Sequence, residues 1–338
     1  MWQWNKRVIA GFIAVFLAGA VLAGCNSAKT EDKKTTATAK QEKADSILPL
    51  DTSSKKVIGE FQNGKVTEGE LNRYINMLGF LDLQVSIALS NPEMKARLNE
   101  VKQDILKDYA TRKWILSQTK ADSESTKKID DEMKKIEEMA KNNSVTATPN
   151  GKPPKNLDEA IKGKGFTKEE LRAYVLEELR IRDFLDQKLK GQKYDHVKVQ
   201  HILVSTTAEA KRSEADAKKR ADEVKKKLEA GGDFAKLAKE YSDDPGSKNQ
   251  SGLIEGPADQ FVPEFANAAK NLPLNQISDP IKTEYGFHVL KVLERKQETV
   301  DKAPEQYKYM KRSKVFEDIM NKELKLKSFL PVTKSAKK

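Results

Sequence analysis

The chain is poor in the residues that carry most side-chain chemistry. Its 338 residues include one cysteine, Cys25, together with three histidines and three tryptophans. One thiol cannot form an internal disulfide, so the folded part must be held together by its apolar core. The conspicuous apolar run, from Val8 to Ala20, is shorter than the roughly 20 residues that a membrane-spanning helix needs. The composition therefore excludes a disulfide-stabilised scaffold, and this run does not predict a membrane span.

The N-terminus has the pattern of an export signal. Lys6 and Arg7 precede the apolar run, and small residues close the run before Cys25. A positive region, a short apolar run and small residues are typical of a cleavable signal peptide, here residues 1–24.

The four residues Leu22-Ala23-Gly24-Cys25 resemble the lipobox of bacterial lipoproteins. The resemblance implies that Cys25 becomes the first mature residue and carries a lipid anchor on the extracytoplasmic face of the cell membrane. Two acyl chains are expected there, because one chain anchors only marginally at about 0.8 kcal/mol per buried CH2 group. The alternative is an ordinary secretory signal in which the cysteine is coincidental.

The charge is strongly positive but dispersed. The formal net charge is +11, and loss of Lys6 and Arg7 with the signal peptide leaves +9. Lysine and glutamate are interspersed along the chain, whereas a nucleic-acid site would need a basic stripe with aromatic residues. We therefore predict no nucleic-acid partner, and we interpret the charge as favouring solubility and attraction to anionic lipid and cell-wall polymers.

Composition and periodicity divide the mature chain into successive regions. Residues 25–56 contain few large apolar residues and are predicted to form a flexible tether. Residues 57–190 begin with a short strand and continue with apolar residues at helical spacing, which predicts a helical domain. Capping boxes at Thr67-x-x-Glu70 and Thr167-x-x-Glu170 mark two helix starts.

The second half of the chain changes pattern twice. Residues 191–195 are predicted to be a hinge, and residues 196–295 follow the order strand, helix, helix, loop, helix, strand, strand. This order predicts an α+β domain with a small antiparallel sheet and surrounding helices. Residues 300–330 are again helical and are expected to pack on the N-terminal helical domain, so that the α+β domain is an insertion between helical segments.

Two of the three histidines lie in this α+β domain within distinctive segments. His201 follows Val-Lys-Val-Gln on the first predicted strand, and His288 follows Thr-Glu-Tyr-Gly-Phe near the end of the domain. Between them lie the segments 241–244, Tyr-Ser-Asp-Asp, and 260–265, Gln-Phe-Val-Pro-Glu-Phe. The third histidine, His196, matches no pattern and is predicted to be a solvated linker residue.

In this order, these segments resemble the parvulin family of peptidyl-prolyl cis/trans isomerases. With the lipobox, the layout resembles PrsA-type extracytoplasmic foldase lipoproteins, and its helical part resembles the periplasmic SurA chaperone. The resemblance implies isomerisation of X-Pro bonds in unfolded or partly folded exported proteins. The uncatalysed barrier to rotation about the peptide bond is about 18–20 kcal/mol. Lowering this barrier by about 4 kcal/mol accelerates the rotation a thousand-fold. This chemistry needs no cofactor and no metal ion.

The resemblance also implies roles for polar residues. His201 and His288 would be paired histidines beneath the reacting peptide, and Asp244 would face the amide carbonyl as the Cys or Asp of parvulins does. Thr283 would support the histidine pair by hydrogen bonding. For Asp244 the alternative is a turn-only role, because Asp-Asp-Pro-Gly is a good turn sequence.

Leu253, Phe261 and Phe265 are implied to line a slot for the proline ring, although both phenylalanines could instead be ordinary core residues. The pattern departs from the family before this slot, where parvulins usually carry Gly-Asp-Leu-Gly. Counting back from Phe261 gives Leu253 the leucine position and puts Ile254 in place of a glycine, where a positive φ would strain it. A one-residue gap would instead shift the slot leucine to Ile254.

Two further functions stay open at this point. A holdase chaperone with a weak or inactive parvulin module would explain the large share of the chain outside residues 196–295. A structural lipoprotein would need no pocket residues, so the paired histidines and Asp244 disfavour it. The sequence leaves the clients and the oligomeric state open, a homodimer included.

Overall fold

A computed structural model describes residues 49–82, 85–86, 92–120, 123–142, 153–207 and 210–331. The predicted signal peptide, Cys25 and most of the predicted tether lie outside the described residues. The helices in the described part of the chain are α1 (Glu68–Leu81), α2 (Pro92–Ser117), α3 (Ser123–Asn142), α4 (Leu157–Ile161), α5 (Lys168–Leu189), α6 (Glu214–Glu229), α7 (Phe234–Tyr241), α8 (Pro263–Asn271) and α9 (Glu305–Asp318). The strands there are β1 (Val57–Phe61), β2 (Gly64–Thr67), β3 (Lys193–Ser205), β4 (Leu253–Pro257), β5 (Ile281–Thr283), β6 (Gly286–Thr299) and β7 (Lys327–Ser328).

The chain forms two compact units. Unit 1 consists of the described residues up to Lys188 together with those from Tyr309 onward, and unit 2 is the continuous segment Leu189–Lys308. Unit 2 extends beyond the predicted limits of 196 and 295 because β3 already begins at Lys193 and pairs there with Thr299, the last residue of β6. Lys193 to Asp195 of the predicted hinge are therefore strand residues. Among the described residues, no helix combines the length and apolar character that a membrane span requires.

Unit 1 is mainly helical, as the sequence predicts, with a small antiparallel sheet in the order β2–β1–β7. The predicted capping box begins α1: the Glu70 N–H donates to Thr67 Oγ1 at 3.3 Å, and the Thr67 N–H donates to the Glu70 carboxylate at 2.7 Å. The C-terminal segment belongs to this unit, since β7 pairs with β1 and Arg312 forms an ion pair with Asp186 of α5.

Residues 49–56 are pinned to α1, which corrects the end of the predicted tether. The Leu50 N–H donates to Asn76 Oδ1 at 2.8 Å, and Asn76 Nδ2 donates back to the Leu50 carbonyl at 3.0 Å. Asn72 Nδ2 donates to the Asp51 carbonyl at 2.6 Å. This segment has little apolar surface to bury, so hydropathy predicted no order; its order comes from backbone hydrogen bonds to amide side chains.

Unit 2 is an antiparallel sheet in the order β4–β3–β6–β5 with helices on both faces. Side chains alternate along β3. Val197 and Val199 lie in an apolar cluster with α8, whereas Ile202 and Val204 lie in a cluster with α6 and α7. Both faces of the central strands are therefore buried, and His201 lies on the same face of β3 as Val199, beside Phe265 of α8.

Candidate active site

His201 and His288 are diagonal neighbours on the two central strands. In the register of β3 and β6, His201 opposes Leu290 and Leu203 opposes His288, so the two histidine side chains are close enough to meet. Their rings are stacked at 18°, with 5.6 Å between centroids, and the two Nδ1 atoms are 3.4 Å apart. Each histidine is only 5% exposed. The fold thus brings together the two histidines that the sequence singled out.

Asp244 lies at the other end of the His201 ring. Its Oδ2 is 3.0 Å from His201 Nε2, and its Oδ1 accepts the Gly246 N–H at 3.1 Å. The hydrogen bond with His201 is the main cause that holds the pKa of this carboxyl far below its usual range, so Asp244 is ionised at neutral pH. The side chain remains 25% exposed. The Asp244 N–H also donates to Ser242 Oγ at 3.3 Å, so the main chain of Asp244 bonds locally while its carboxylate contacts His201.

Ser247 is a site residue that the sequence interpretation missed. It is fully buried, its Oγ is 2.9 Å from His201 Nε2, and its hydroxyl also hydrogen bonds to Asp244 Oδ2. A hydroxyl three residues after an aspartate in a turn sequence could have indicated this contact, because such side chains commonly bond within turns.

Thr283 completes the set on the side of His288. Its Oγ1 is 2.9 Å from His288 Nε2 and accepts the Tyr285 N–H at 3.2 Å. Burial, with a smaller effect of the neighbouring His201, lowers the pKa of His288 from about 6.5 to about 4. His288 is therefore neutral at pH 7.

These contacts fix the direction of a hydrogen-bond chain. An ionised carboxylate only accepts, so His201 Nε2 carries the proton that it donates to Asp244. When His201 is neutral, its Nδ1 is then an acceptor, and the proton between the rings belongs to His288 Nδ1. His288 Nε2 in turn accepts from the Thr283 hydroxyl. The donors thus run from Thr283 through His288 and His201 to Asp244.

An aromatic wall faces the histidine pair. The Phe265 ring stands edge-on to both imidazoles, with centroid distances of 5.5 Å to His201 and 5.4 Å to His288. The Phe261 ring is 5.2 Å from Phe265 and only half-buried. α8 carries Phe265, and its start at Pro263 agrees with the preference of proline for the first helical turn. Of the two predicted slot phenylalanines, Phe265 therefore lies beside the histidines and Phe261 lies against Phe265.

The structure favours Ile254 over Leu253 as the aliphatic neighbour of this wall. Ile254 opposes Val199 in the sheet and packs on the cluster that contains Phe265. Leu253 opposes Gln200 instead, and successive strand residues point to opposite faces. The expected strain at Ile254 is not found, since Ile254 is an ordinary strand residue. The positive φ angles belong to the preceding turn, 59° at Ser251 and 70° at Gly252.

His196 is not the solvated linker residue that the sequence suggested. It lies within β3, its side chain is 14% exposed, and its Nε2 is 3.7 Å from a carboxylate oxygen of Glu255. The long β3–β6 ladder includes it because pairing continues to Lys193. Across the part of the chain that the structure describes, no group of three or more His, Cys, Asp or Glu side chains could hold a metal ion.

Comparison with known proteins gives concordant matches. Residues 185–296 match the family model described as PPIC-type PPIASE domain. The chain is 32% identical over 237 residues to Foldase protein PrsA of Clostridium botulinum, covering 62% of this chain and 64% of that relative. It is 34% identical over 229 residues to Foldase protein PrsA 3 of Bacillus cereus, covering 66% and 73%. A crystal structure of peptidylprolyl isomerase (PrsA) from Bacillus anthracis has a TM-score of 0.36 and 24% identity, covering 64% and 89%.

The sheet, the histidine pair and the matched model define residues 185–296 as a PPIC-type peptidyl-prolyl isomerase domain of the parvulin class. The similarity to the Bacillus cereus relative extends beyond this domain, since it covers 73% of that protein. The chain belongs to the PrsA foldase family.

Proposed function

We propose that the protein is a lipid-anchored peptidyl-prolyl cis/trans isomerase for unfolded or partly folded exported proteins. The observation that carries the proposal is the buried chain of hydrogen bonds from Thr283 through His288 and His201 to Asp244, closed by the edge of Phe265. A buried polar network that is fully paired is rigid, which is what positioning a peptide bond for rotation requires.

Each part of the site has a physical task in this reaction. Planarity of the X-Pro bond depends on resonance that places negative charge on the carbonyl oxygen. The ionised Asp244, one quarter exposed, faces that oxygen and disfavours the charged resonance form, which lowers the barrier to rotation. Phe261 and Phe265 hold the proline ring, and the histidine pair keeps Asp244 oriented. The rotation breaks no covalent bond and needs no proton transfer.

The test is proline-limited peptide isomerisation by a soluble protein that begins at residue 46, so that the segment pinned to α1 is retained. His201→Ala should lower kcat/KM by at least about tenfold, because the carboxylate loses its main partner. His196→Ala is the matched control on the same strand and should leave kcat/KM unchanged. Full catalysis by a folded His201→Ala protein would remove the histidine pair from the reaction.

Anchoring through Cys25 is a separate part of the proposal and rests on the lipobox-like Leu22-Ala23-Gly24-Cys25. Mass spectrometry of the protein extracted from membranes should find a lipid-modified Cys25 at the mature N-terminus. Cys25→Ser should release the protein from the membrane fraction. Retention of the serine variant in that fraction would contradict a lipid anchor.

A holdase activity in unit 1 is the second candidate. Unit 1 contains a cavity of about 510 Å³ beside β2, which is an edge strand and therefore has unpaired backbone groups. The cavity is lined by Phe61, Asn63, Gly64, Lys65, Thr67, Glu70, Lys113 and Ser117. If unit 1 shields unfolded chains, the catalytically impaired His201→Ala protein should still suppress aggregation of an unfolded client. Equal loss of catalysis and suppression would assign both to the isomerase domain.

A further inference from the structure

Ser247 is tied to His201 through both its main chain and its side chain. The Ser247 carbonyl accepts the Gly252 N–H at 3.0 Å, and the Gly252 carbonyl accepts the His201 N–H at 2.8 Å. The Ser247 hydroxyl returns to the same histidine at 2.9 Å from Nε2. Gly252 is needed at this point, because its φ is +70° and a Cβ there would lie 2.5 Å from the His201 carbonyl oxygen. The turn thus places the hydroxyl with little freedom to move.

The hydroxyl can serve its two neighbours in one way only. Asp244 is ionised and accepts, so the Ser247 O–H donates to Asp244 Oδ2. The lone pairs of the Ser247 oxygen then face His201 Nε2, which must carry a proton. If Ser247 donated to His201 instead, a bare Nε2 would lie 3.0 Å from a carboxylate oxygen, two acceptors in contact. The Ser247 hydroxyl therefore fits only the His201 tautomer that Asp244 requires.

We propose that Ser247 is a positioning residue of the isomerase site, which orients the Asp244 carboxylate and through it supports the Nε2–H tautomer of His201. The catalytic part of this inference rests on the proposed isomerase function. Hydrogen bonds to a carboxylate favour its ionised form, and the bond from Ser247 is among the causes of the low pKa of Asp244. Ser247 itself is fully buried and has no direct access to substrate.

The first measurement uses the unmodified soluble protein, which begins at residue 46. The nitrogen-15 NMR shifts of its imidazoles distinguish protonated from bare ring nitrogens. We expect a protonated Nε2 and a bare Nδ1 in His201, with the reverse arrangement in His288. A bare Nε2 in His201 at neutral pH would overturn the proposal, whatever any variant does.

The second measurement compares Ser247→Ala with Ser278→Ala. Ser278 is also buried, at 3% exposure, and its hydroxyl oxygen accepts the Leu290 N–H at 2.9 Å within the same unit. Ser247→Ala should lower kcat/KM about tenfold, and the carboxyl carbon of Asp244 should titrate at higher pH. Ser278→Ala should change neither quantity, although both variants lose a buried hydrogen bond.

The outcomes separate this inference from the proposed function. A folded Ser247→Ala protein with an unchanged Asp244 titration and unchanged kcat/KM would remove the positioning role. If the wild-type protein isomerises no proline peptide, while Ser247→Ala still shifts the titration of Asp244, the proposed isomerase function is contradicted. The orienting role of Ser247 would then stand without it. If Ser247→Ala does not fold, the imidazole tautomers of the unmodified protein still decide.

Discussion

The Arg295 guanidinium donates hydrogen bonds of 3.1 and 2.8 Å to the carbonyl oxygen of Ala269 at the C-terminal end of α8. A third bond, of 2.7 Å, reaches the carbonyl of Leu272. The last carbonyls of a helix lack intrahelical partners, and a cation there also complements the helix dipole. Arg295 therefore attaches α8, the helix that contains Phe265, to β6.

Removal of this cap should weaken both the fold and the site. Arg295→Met should destabilise unit 2 by about 2 kcal/mol, the scale of a hydrogen bond to a charged group. It should also lower kcat/KM, because Phe265 loses its fixed place beside the histidines. Lys296→Met is the control, since this exposed neighbour pairs only with surface glutamates in the described contacts. Thermal unfolding and peptide isomerisation measure the two effects, and equal behaviour of the two variants would contradict the role of Arg295.

Ile254 should matter more for catalysis than Leu253. Ile254 packs on the cluster that contains Phe265, whereas Leu253 belongs to the opposite face of β4. Ile254→Ala opens space behind the proline slot and should lower kcat/KM by about tenfold, with a stability loss of about 2–4 kcal/mol. Leu253→Ala is its neighbour and matched control, and it should retain most activity. A larger loss of kcat/KM in Leu253→Ala than in Ile254→Ala would instead support the alignment that places Leu253 in the proline slot.

Stability of unit 2 should fall as the pH is lowered from about 6.5 to about 4. His288 has its pKa depressed to about 4 in the fold, so its neutral form is favoured there. The resulting stabilisation is fully present above the unfolded pKa and is lost as the pH falls towards the folded pKa, about 3 kcal/mol in all. Chemical denaturation followed by NMR of β3 and β6 amides measures this loss.

His288→Asn supplies the control for that pH dependence. The variant is less stable at pH 7 but lacks the titrating ring, so its stability should change less between pH 6.5 and 4. Asp244 contributes in the same direction but below pH 4, because its pKa is depressed from an ordinary value of 3.8. An identical slope in both proteins would show that His288 is not the group responsible.

A protein that begins at residue 57 should be less stable than one that begins at residue 46. The shorter chain lacks the backbone partners of Asn72 and Asn76, which are 6% and 2% exposed. Water can reach these amides once the segment is removed, so each lost hydrogen bond should cost about 0.5–1.5 kcal/mol. Trp114 is the only tryptophan in both proteins, so its fluorescence in urea reports on unit 1. A start at residue 49 is the control and should match the longer protein.

The sequence predicted the elements of the fold better than their contacts. Local signals identified the capping box at Thr67 and the proline start of α8, because both depend on neighbours within a few residues. The two histidines were found by motif. Their stacking depends on the register of β3 against β6, which brings together two side chains 87 positions apart in the sequence. Such a register cannot be predicted from a local sequence pattern.

The misses share a physical cause. Ser247 and the pinned residues 49–56 owe their places to hydrogen bonds with particular partners, and such bonds leave no hydrophobic periodicity in the sequence. Ile254 was expected to be strained because the position of the turn was counted from Phe261. The tight turn lies two to three residues before Ile254, at Ser251 and Gly252, and Ile254 is a regular strand residue.

The pairing of β1 with β7 has a consequence for the order of events during synthesis. Unit 2 is one continuous segment and can complete its own contacts once residue 308 has emerged. Unit 1 is synthesised first but is completed last, because Gly59 of β1 pairs with Ser328 of β7. This pairing closes a loop that contains all of the chain between these two residues. Closing a long loop adds little to the free-energy cost of folding, but contacts between distant residues form slowly. A chain that emerges N-terminus first could thus fold its isomerase domain before its helical unit is complete.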